Sequence, residues 1–505
     1  MSTDISDISN ISNIIGRRAE LESLEDTYQS TRSEFIAVYG RRRVGKTFLI
    51  REFYSQKEDC YFFQVSGIKK ATGQEQFKEF TKEIIRVFYA DFKNIQLESP
   101  KSWLHAFEIL NDAIRLNSNN KNNKNNKNKI VLFLDEIPWL AQRKGKLLSA
   151  LDYYWNRYWS SEKNIKLIIC GSAASWIIKN ILNSKGGLHN RVTCRLPIDP
   201  FTLKETKEYL KAKGLLYDQA QVLEVYMCIG GIPYYLDMLK KDRSAPQNIN
   251  QLCFQTKGAL VDEFNNLFQA LFDQASAHEN IIKIIANKRE GVSRDEIVKA
   301  LDMKGGTLSL WLQELEQAGF IQSFIPLGKK YGTYYKIIDE YVLFYLTWMV
   351  PLSESGLKTE KNSHYWEEVS QSPSFSAWSG LAFEAVCHKH ISHIKRALHI
   401  PDSARSGTWR YTPGKKDSIP GAQIDLLFDR NDGLISICEI KYASESFKIG
   451  KDCAKDLENK KMVYQSVTHT AKQITLSMIT TFGLKKSDYA EDLIFSDCTM
   501  KDLFS

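Results

Sequence analysis

The chain has 505 residues, 43% of them hydrophobic, and a formal net charge of +8 at neutral pH. This length predicts several domains with ordinary buried cores, and the lack of an apolar run of roughly eighteen residues argues against a membrane-spanning helix. Nine scattered cysteines without C-x-x-C pairs, and an N-terminus with neither a basic nor an apolar leader, favour a cytoplasmic protein over a secreted, disulfide-bonded one.

A glycine-rich loop follows the first predicted strand, Phe35–Tyr39, and precedes a predicted helix that begins near Phe48. Its sequence is Gly40-Arg41-Arg42-Arg43-Val44-Gly45-Lys46-Thr47, which fits the pattern G-x-x-x-x-G-K-[ST]. In that pattern, backbone N–H groups of the loop and of the helix N-terminus bind phosphate oxygens. We therefore predict that residues 40–48 bind the phosphates of a nucleoside triphosphate, with Lys46 serving in both binding and catalysis.

A second predicted strand, 129–134, is continuously apolar and ends in two acids, Asp135 and Glu136. The stretch 117–129 before the acids, rich in asparagine and lysine, is predicted to be a loop up to the start of this strand. Because such a strand is buried on both faces of a parallel sheet, its terminal acids should emerge beside the phosphate-binding loop. We expect Asp135 and the Thr47 hydroxyl to hold Mg²⁺, and Glu136 to orient or deprotonate the attacking water.

A third predicted strand, 166–170, is followed by Ser172, which should approach the γ-phosphate or the attacking water. Arg191 and Arg195 are candidates for stabilising the charge on the transferring phosphoryl group, because a planar guanidinium matches phosphate oxygens. Ordinary turn chemistry for the serine, and structural or solvated roles for the arginines, are the open alternatives.

These motifs, together with Ile15–Leu21, residues 196–201 and Gly230-Gly231-Ile232-Pro233, resemble the AAA+/STAND-type ATPases of prokaryotes, also called archaeal-type ATPases. The resemblance covers residues 12–275 and implies an α/β P-loop NTPase core over 12–203 with a helical lid over 204–275. It implies ATP and Mg²⁺ as cofactors, and it places Gly231 and Pro233 near the nucleotide. A homo-oligomer that assembles on sensing a ligand, as in STAND signalling, is left open.

Residues 276–352 predict helices followed by a hairpin. Ser293 and Glu296 form a capping-box pattern at the start of one helix, Thr307–Gly319 is amphipathic, and residues 320–325 and 334–338 alternate as strands. This order predicts a winged helix-turn-helix. Its candidate DNA contacts lie on the exposed face of the second helix and at the hairpin tip: Thr307, Ser309, Gln313, Lys329 and Lys330. Packing against protein is an equally weighted alternative.

Residues 422–429 and 434–441 predict a second hairpin, whose loop places Gly433 at positive φ. This register sets Asp425 opposite Glu439, and the two-residue period of a strand puts Lys441 on the same face. Two carboxylates and an amine on an otherwise apolar patch are suited to metal-dependent hydrolysis of a phosphodiester.

The spacing D-x13-E-x-K resembles the PD-(D/E)xK nucleases, and Glu384 in the preceding predicted helix matches the first-helix acid of that superfamily. The resemblance implies a restriction-endonuclease-like α/β domain over 360–505. Glu384, Asp425 and Glu439 would bind Mg²⁺, and Lys441 would act with the two hairpin acids in catalysis. The chain departs from the pattern before Asp425, where no proline stands. The segment 387–393, with its cysteine and histidines, is interpreted as a polar helix face rather than a zinc site.

Together these patterns predict a cytoplasmic ATPase that acts on nucleic acid, with DNA as the favoured substrate, through a Mg²⁺-dependent C-terminal nuclease controlled by the nucleotide state. The alternative is an AAA+/STAND regulatory ATPase whose C-terminal nuclease fold is inactive and serves DNA or protein binding. Cleavage of plasmid DNA in the presence of a divalent ion distinguishes the two.

Overall fold

The computed structural model describes residues 14–92, 95–118, 129–141, 145–184, 186–188, 190–288, 291–303, 305–328, 332–354, 364–414 and 417–505. The chain divides into two compact units, Met1–Pro200 and Phe201–Ser505. Lys329, Lys330 and most of the predicted loop 117–129 lie outside the described residues. The described part of the chain contains no helix whose length and hydropathy suit a bilayer-spanning segment.

A parallel sheet forms the centre of the first unit. Its strands are β1 (Glu34–Tyr39), β2 (Cys60–Ser66), β3 (Lys129–Asp135), β4 (Ile165–Gly171) and β5 (Cys194–Pro197), in the order β2-β3-β4-β1-β5. Strands β1, β3 and β4 are buried along almost their whole length, as their continuous apolar runs predicted. Because all of these strands run parallel, the segments that follow β1, β3 and β4 meet at one edge of the sheet.

Helices pack on the sheet of the first unit and bury an apolar core against it. They span Arg18–Gln29, Lys46–Ser55, Gly73–Phe88, Trp103–Ser118, Ile137–Leu140, Leu147–Arg157 and Ala174–Ile177, with a 3-10 turn at Trp159–Ser161 and a π-helical turn at Ile178–Leu182. Within this core the ring of Phe35 on β1 packs against Trp155, with 5.0 Å between ring centroids. Such packing fixes β1, and with it the loop that follows, against the rest of the sheet.

The second unit begins with helices, as the family resemblance implied for residues 204–275. They span Leu203–Ala212, Gln219–Ile229, Pro233–Leu236, Ala245–Cys253 and Glu263–Leu271. The Phe201 N–H donates to the Gly231 carbonyl at 2.7 Å, and a Cβ on Gly231 would lie 2.0 Å from the Phe201 carbonyl oxygen. Gly231 is therefore required by a close approach of two backbone segments that the sequence pattern had already grouped together.

Residues 275–337 contain helices and a hairpin in the predicted order. The helices are Ala275–Ala286, Arg294–Leu301 and Gly306–Gln317, and the strands are β6 (Val292–Ser293), β7 (Ile321–Phe324) and β8 (Tyr334–Ile337), which form an antiparallel sheet in the order β6-β8-β7. The Glu296 N–H donates to the Ser293 hydroxyl, and the Ser293 N–H donates to the Glu296 carboxylate. The predicted capping box is thus confirmed, whereas the short strand β6 was not predicted.

A mixed sheet forms the C-terminal part of the second unit. Its strands are β9 (Arg405–Tyr411), β10 (Ala422–Asp429), β11 (Leu434–Lys441), β12 (Gln473–Thr480) and β13 (Ile494–Thr499), in the order β13-β12-β11-β10-β9. Strand β10 pairs antiparallel with both β9 and β11, whereas β12 pairs parallel with β11 and β13. The hairpin β10–β11 has the predicted bounds.

Helices join and flank this mixed sheet. They span Glu340–Phe344, Val350–Glu354, Tyr365–Val369, Pro373–Lys389, Ile391–Ala397, Lys451–Thr468, Asp488–Leu493 and Met500–Leu503, with a π-helical turn at Tyr345–Met349. Helix Pro373–Lys389 lies against β11, and helix Lys451–Thr468 lies against β9, β10 and β12. These two helices carry the acidic residue Glu384 and the basic residue Lys460 to the sheet.

Candidate functional site

The loop between β1 and the helix Lys46–Ser55 has a conformation that its glycines permit. Gly40 has a φ of +148°, and a Cβ there would lie 2.2 Å from the carbonyl oxygen of Ile198. Gly45 has a φ of +90° with open space around it, and Arg43 is also left-handed at 72°. The loop therefore curls tightly in front of the helix N-terminus, the arrangement in which backbone N–H groups bind an anion.

Lys46 is buried inside this loop. Its ammonium donates hydrogen bonds to the carbonyl oxygens of Gly40 and Arg41, both at 2.9 Å. Burial lowers the pKa of Lys46, and the neighbouring acids Glu136 and Asp135 oppose that shift. A buried ammonium is stabilised by a negative charge beside it, so the position of Lys46 fits a phosphate group.

Asp135 lies at the end of β3, beside the loop. Its Oδ2 accepts hydrogen bonds from the hydroxyls of Thr47 at 2.9 Å and Ser66 at 3.2 Å. Thr47 and Asp135, the two residues predicted to hold Mg²⁺ in this unit, are therefore adjacent. A hydroxyl beside a carboxylate supplies the hard oxygen donors that Mg²⁺ prefers, so the donor set fits that ion.

Glu136 and Ser172 face each other at the ends of the neighbouring strands β3 and β4. The Glu136 carboxylate accepts hydrogen bonds from the Ser172 hydroxyl and, at 3.2 Å, from the Ser172 N–H. Glu136 has a φ of 45°, and a Cβ on Gly67 would lie 2.6 Å from the Glu136 carbonyl oxygen. The carboxylate is thus held in one orientation next to Asp135, by a serine that the sequence also singled out.

Arg17 is a supporting residue whose contact the sequence did not predict. Its guanidinium donates to the Val44 carbonyl of the phosphate loop at 3.2 Å and pairs with Glu20 at 3.1 Å. Arg17 is 5% exposed, so this bond is shielded from water. The segment 15–21 was singled out only by its family resemblance, and the structure gives part of it a direct role in holding the loop.

The other residues predicted for nucleotide binding lie on a helix, in a turn and in the second unit. Phe48 is 51% exposed on the first turn of the helix after the loop. Arg191 is exposed in the turn before β5. Gly231 and Pro233 belong to the second unit, where Pro233 begins a short helix. Contact of these residues with a nucleotide stays a prediction.

The first part of the chain matches a known protein family. The match covers residues 14–239, and the family is described as an ATPase domain predominantly from Archaea. This part of the chain is an archaeal-type ATPase domain. The ATPase match includes the phosphate loop, both acids at the end of β3 and the Gly-Gly-Ile-Pro segment, so the predicted resemblance is confirmed for this domain.

Two relatives of this chain come from Methanocaldococcus jannaschii. The uncharacterized protein MJECL04 is 25% identical over 498 residues, which cover 97% of this chain and 99% of that protein. The uncharacterized ATP-binding protein MJ0423 is 46% identical over 44 residues, which cover 9% of this chain and 75% of that protein. The similarity to MJECL04 extends through both compact units.

Solved structures also align with this chain. The Walker-type ATPase PABY2304 of Pyrococcus abyssi has a TM-score of 0.46 at 20% identity, covering 66% of this chain and 96% of that chain. The ORC2 protein of Aeropyrum pernix has a TM-score of 0.42 at 14% identity, covering 69% and 98%. A STAND protein of Pyrococcus horikoshii with a tetratricopeptide repeat sensor has a TM-score of 0.29 at 13% identity, covering 76% and 51%.

A second group of charged residues lies on the hairpin β10–β11 of the second unit. Leu426 pairs with Cys438, and the same register extended by one position sets Asp425 opposite Glu439, as predicted. Gly433 in the connecting loop has a φ of 85°, which confirms the expected turn. The pairing of β10 with β9 shifts register between residues 424 and 427, so a bulge falls at Asp425. Bulges of this kind re-aim a side chain at a functional site.

Glu439 is buried and bound by two ammonium groups. Lys441 on the same strand donates to its Oε1 at 2.8 Å, and Lys460 from the helix Lys451–Thr468 donates to its Oε2 at 2.6 Å. Burial lowers the pKa of Lys460, but the charge and hydrogen bond of Glu439, together with the nearby acids Asp425 and Asp456, outweigh it, and the net pKa lies well above its usual range. The same two opposing effects leave the pKa of Lys441 raised. Both lysines therefore stay charged at neutral pH.

Asp425 is held less firmly than Glu439. Its Oδ2 accepts a hydrogen bond from the Ile440 N–H at 3.2 Å. Burial, followed by the negative charges of Glu439 and Glu384, raises the pKa of Asp425 to about 7. The hairpin thus brings together Asp425, Glu439 and Lys441 as predicted, and it adds Lys460, which the sequence had not singled out.

Glu384 approaches this group from the helix Pro373–Lys389. It shares a helix face with His388, as predicted, and the two side chains lie 3.7 Å apart. No three Asp, Glu, His or Cys side chains converge as a ready-made metal cage in the described ranges. Two carboxylates suffice for Mg²⁺, which keeps several of its waters, so Asp425 and Glu439 fit as a donor pair. A direct bond from Glu384 stays a prediction.

Proposed function

We propose that this protein couples ATP hydrolysis in its first unit to divalent-ion-dependent cleavage of DNA by its C-terminal sheet. The observation that carries the nuclease half is the arrangement of Asp425, Glu439, Lys441 and Lys460 on one hairpin and the helix beside it. Two carboxylates and two fixed ammonium groups supply the donors and the positive charge that phosphodiester hydrolysis requires.

The ATPase half rests on the family match and on the proximity of the predicted side chains to one another around the phosphate loop. Lys46 would neutralise the terminal phosphates, and the Thr47 and Asp135 oxygens would hold Mg²⁺. Glu136, fixed by Ser172, would orient or deprotonate the attacking water. Because Glu136 follows β3 and Ser172 follows β4, loss of the γ-phosphate would affect the segments after both strands at once.

The nuclease half rests on the arrangement of helices and strands as well as on the charged group. A helix precedes an antiparallel run of strands β9, β10 and β11, and a second helix leads to β12, which lies parallel to β11. This order supports a PD-(D/E)xK domain, with its acids on β10 and β11. Mg²⁺ bound there would stabilise negative charge on the phosphate oxygens and lower the pKa of a coordinated water. Lys441 would then position the attacking water, and Lys460 would hold the Glu439 carboxylate.

The helices and hairpin of residues 275–337 support a winged helix-turn-helix, which lies in the sequence between the ATPase domain and the C-terminal sheet. On its helix Gly306–Gln317, the residues Thr307, Ser309 and Gln313 are exposed, as a DNA-reading face requires. The hairpin is engaged elsewhere, since the Leu327 N–H donates to the Thr408 carbonyl of β9 at 3.2 Å. We therefore assign DNA contact to the helix and attachment to the C-terminal sheet to the hairpin.

Cleavage of supercoiled plasmid by the full-length protein with Mg²⁺ or Mn²⁺ and ATP tests the proposal. Lys441→Ala should abolish nicking and leave ATP turnover near normal, whereas Lys46→Ala should lower ATP turnover by roughly 100-fold or more. Lys448→Ala, a change of an exposed lysine beyond β11, serves as the matched control. If wild-type protein never nicks DNA under these conditions, the nuclease half is wrong.

A second candidate is a regulatory ATPase whose C-terminal sheet binds DNA or protein without cutting. The ion pairs of Glu439 with two lysines favour it, because such a network can also serve stability alone. Under this alternative, ATP should change the affinity for DNA while no nicking occurs in any divalent ion. Size-exclusion chromatography with and without ATP then tests whether the protein assembles into homo-oligomers, as a STAND-type switch would.

A further inference from the structure

A cavity of about 710 Å³ lies between the hairpin β7–β8 and strand β9. It is close to the charged residues of the hairpin β10–β11. Its lining combines aromatic and basic side chains with one of the predicted acids. The residues that matter are Phe324, Tyr334, Lys336, Glu384, Arg410 and Tyr411. Glu384 links the cavity to the hairpin β10–β11, because it lines the cavity and its negative charge contributes to the raised pKa of Asp425.

We propose that this cavity receives an unpaired nucleotide of the strand whose phosphodiester lies at Asp425 and Glu439. The inference rests on the proposed nuclease function and adds the substrate class to it: DNA with a single-stranded end or gap, rather than an uninterrupted duplex.

The size of the cavity supports a nucleotide rather than a duplex. Its volume falls within the range of roughly 300–1,000 Å³ that holds a single small-molecule-sized group. One wall is the hairpin, which is bonded to β9 through Leu327 and Thr408, and the other is β9 itself. A base pair would have to be opened before a base could enter between two walls that are hydrogen-bonded to each other.

The chemistry of the lining supports a base with its phosphate. Phe324 and Tyr334 lie side by side on the hairpin, with ring centroids 6.0 Å apart, and both are half-buried. Aromatic rings of this kind stack on bases of any sequence. Lys336 and Arg410 supply positive charge, and the Lys336 ammonium lies 5.6 Å from the Phe324 ring centre. The acids that face them are Glu384 and Glu296, of which Glu296 is paired with Lys288.

Strand β8 provides a matched pair of variants. Tyr334 lines the cavity, whereas its neighbour Tyr335 points to the other face of the same strand and is also half-buried. Tyr334→Ala and Tyr335→Ala therefore remove the same side chain from adjacent positions, and only the first should affect a ligand in the cavity. Phe324→Ala on β7 is a second variant on the cavity side.

Binding of dye-labelled DNA by full-length protein carrying Lys441→Ala, measured by fluorescence anisotropy in EDTA, tests the inference without cleavage. We compare a short blunt duplex with the same duplex bearing a single-stranded overhang. The overhang should bind more tightly, and Tyr334→Ala or Phe324→Ala should weaken its binding by roughly 5- to 100-fold while Tyr335→Ala does not. Circular dichroism and thermal melting of each variant establish that it is folded.

Two results would overturn the inference. One is equal affinity for the blunt duplex and the overhang, and the other is a folded Tyr334→Ala variant that binds like Tyr335→Ala. Either result leaves the nuclease proposal standing if wild-type protein nicks plasmid with Mg²⁺ or Mn²⁺. Conversely, absence of nicking contradicts the nuclease proposal whatever the anisotropy shows, so the two failures are distinguishable.

Discussion

The ammonium of Lys460 lies 2.6 Å from the buried carboxylate of Glu439, although the two residues belong to a helix and a strand 21 positions apart. Lys441 holds the other oxygen of the same carboxylate. Glu439 is 3% exposed, so its charge is stabilised chiefly by these two partners. The position of the acid in the proposed nuclease centre therefore depends on a helix that carries none of the predicted residues.

Lys460→Met should destabilise the second unit by about 2–3 kcal/mol, because it leaves a buried carboxylate with one partner in place of two. Chemical denaturation measures this loss, with Lys461→Met as the control, since the neighbouring Lys461 is exposed. Adding Glu439→Gln to Lys460→Met should recover part of the stability, because the unpaired charge is then gone. A double variant that is less stable than the sum of the two single changes would contradict this account.

The pKa of Asp425 predicts how the stability of the protein responds to pH. In the fold this pKa is raised from 3.8 to about 7, mainly by burial and then by Glu439. Between about pH 4 and pH 7, Asp425 is therefore protonated in the folded protein and ionised in the unfolded chain. The contribution of the protonated Asp425 carboxyl to the free energy of unfolding is complete below about pH 4 and is lost as the pH rises to about 7.

Asp425→Asn should therefore raise the melting temperature in EDTA more at pH 8 than at pH 5. Asp429→Asn, on the same strand but paired with Lys472 at its surface, should show no such growing difference. Added Mg²⁺ should stabilise the wild type at pH 8 and leave Asp425→Asn nearly unchanged. A difference between Asp425→Asn and the wild type that stays constant with pH would show that the carboxyl is not buried as described.

Ser172 should act on ATP hydrolysis through Glu136. Because the Ser172 hydroxyl and N–H both bind the Glu136 carboxylate, Ser172→Ala should leave the acid less well oriented and lower kcat roughly 10-fold, with little change in ATP affinity. Glu136→Gln should lower kcat by roughly 100-fold or more. Ser161→Ala, in the 3-10 turn Trp159–Ser161 that precedes β4, is the control. If Ser172→Ala weakens ATP binding and leaves kcat unchanged, Ser172 contacts the nucleotide rather than positioning Glu136.

The features that the sequence predicted well are those with a strong local signal. Strands β3 and β4 are continuous apolar runs, and the hairpin β10–β11 is two largely apolar runs around a glycine with positive φ. The spacing of Asp425, Glu439 and Lys441 along that hairpin then fixes which side chains share a face, since strand geometry has a period of two. Their proximity could therefore be derived without knowledge of any distant contact.

The residues that were missed depend on contacts between distant segments. Ser66 reaches Asp135 only because β2, which is mixed in polarity and lies at the edge of its sheet, pairs with β3 from 69 positions away. Lys460 looks like any lysine on an amphipathic helix, where solvent exposure is the ordinary outcome. Only the packing of that helix against the sheet shows that this lysine is directed toward Glu439.

The two glycines of the phosphate loop should respond differently to the same change, because they are required for different reasons. A Cβ on Gly40 would collide with the Ile198 carbonyl oxygen at 2.2 Å, so Gly40→Ala should displace the loop and lower both the melting temperature and ATP affinity strongly. Gly45 has open space around it and only a positive φ, so Gly45→Ala should cost about 1–2 kcal/mol of backbone strain. Gly73→Ala, at a helix start with ordinary contacts, is the control for both in thermal melting and ATP titration. Equal losses of stability in Gly40→Ala and Gly45→Ala would show that backbone conformation, rather than the approach of Ile198, sets the requirement for Gly40.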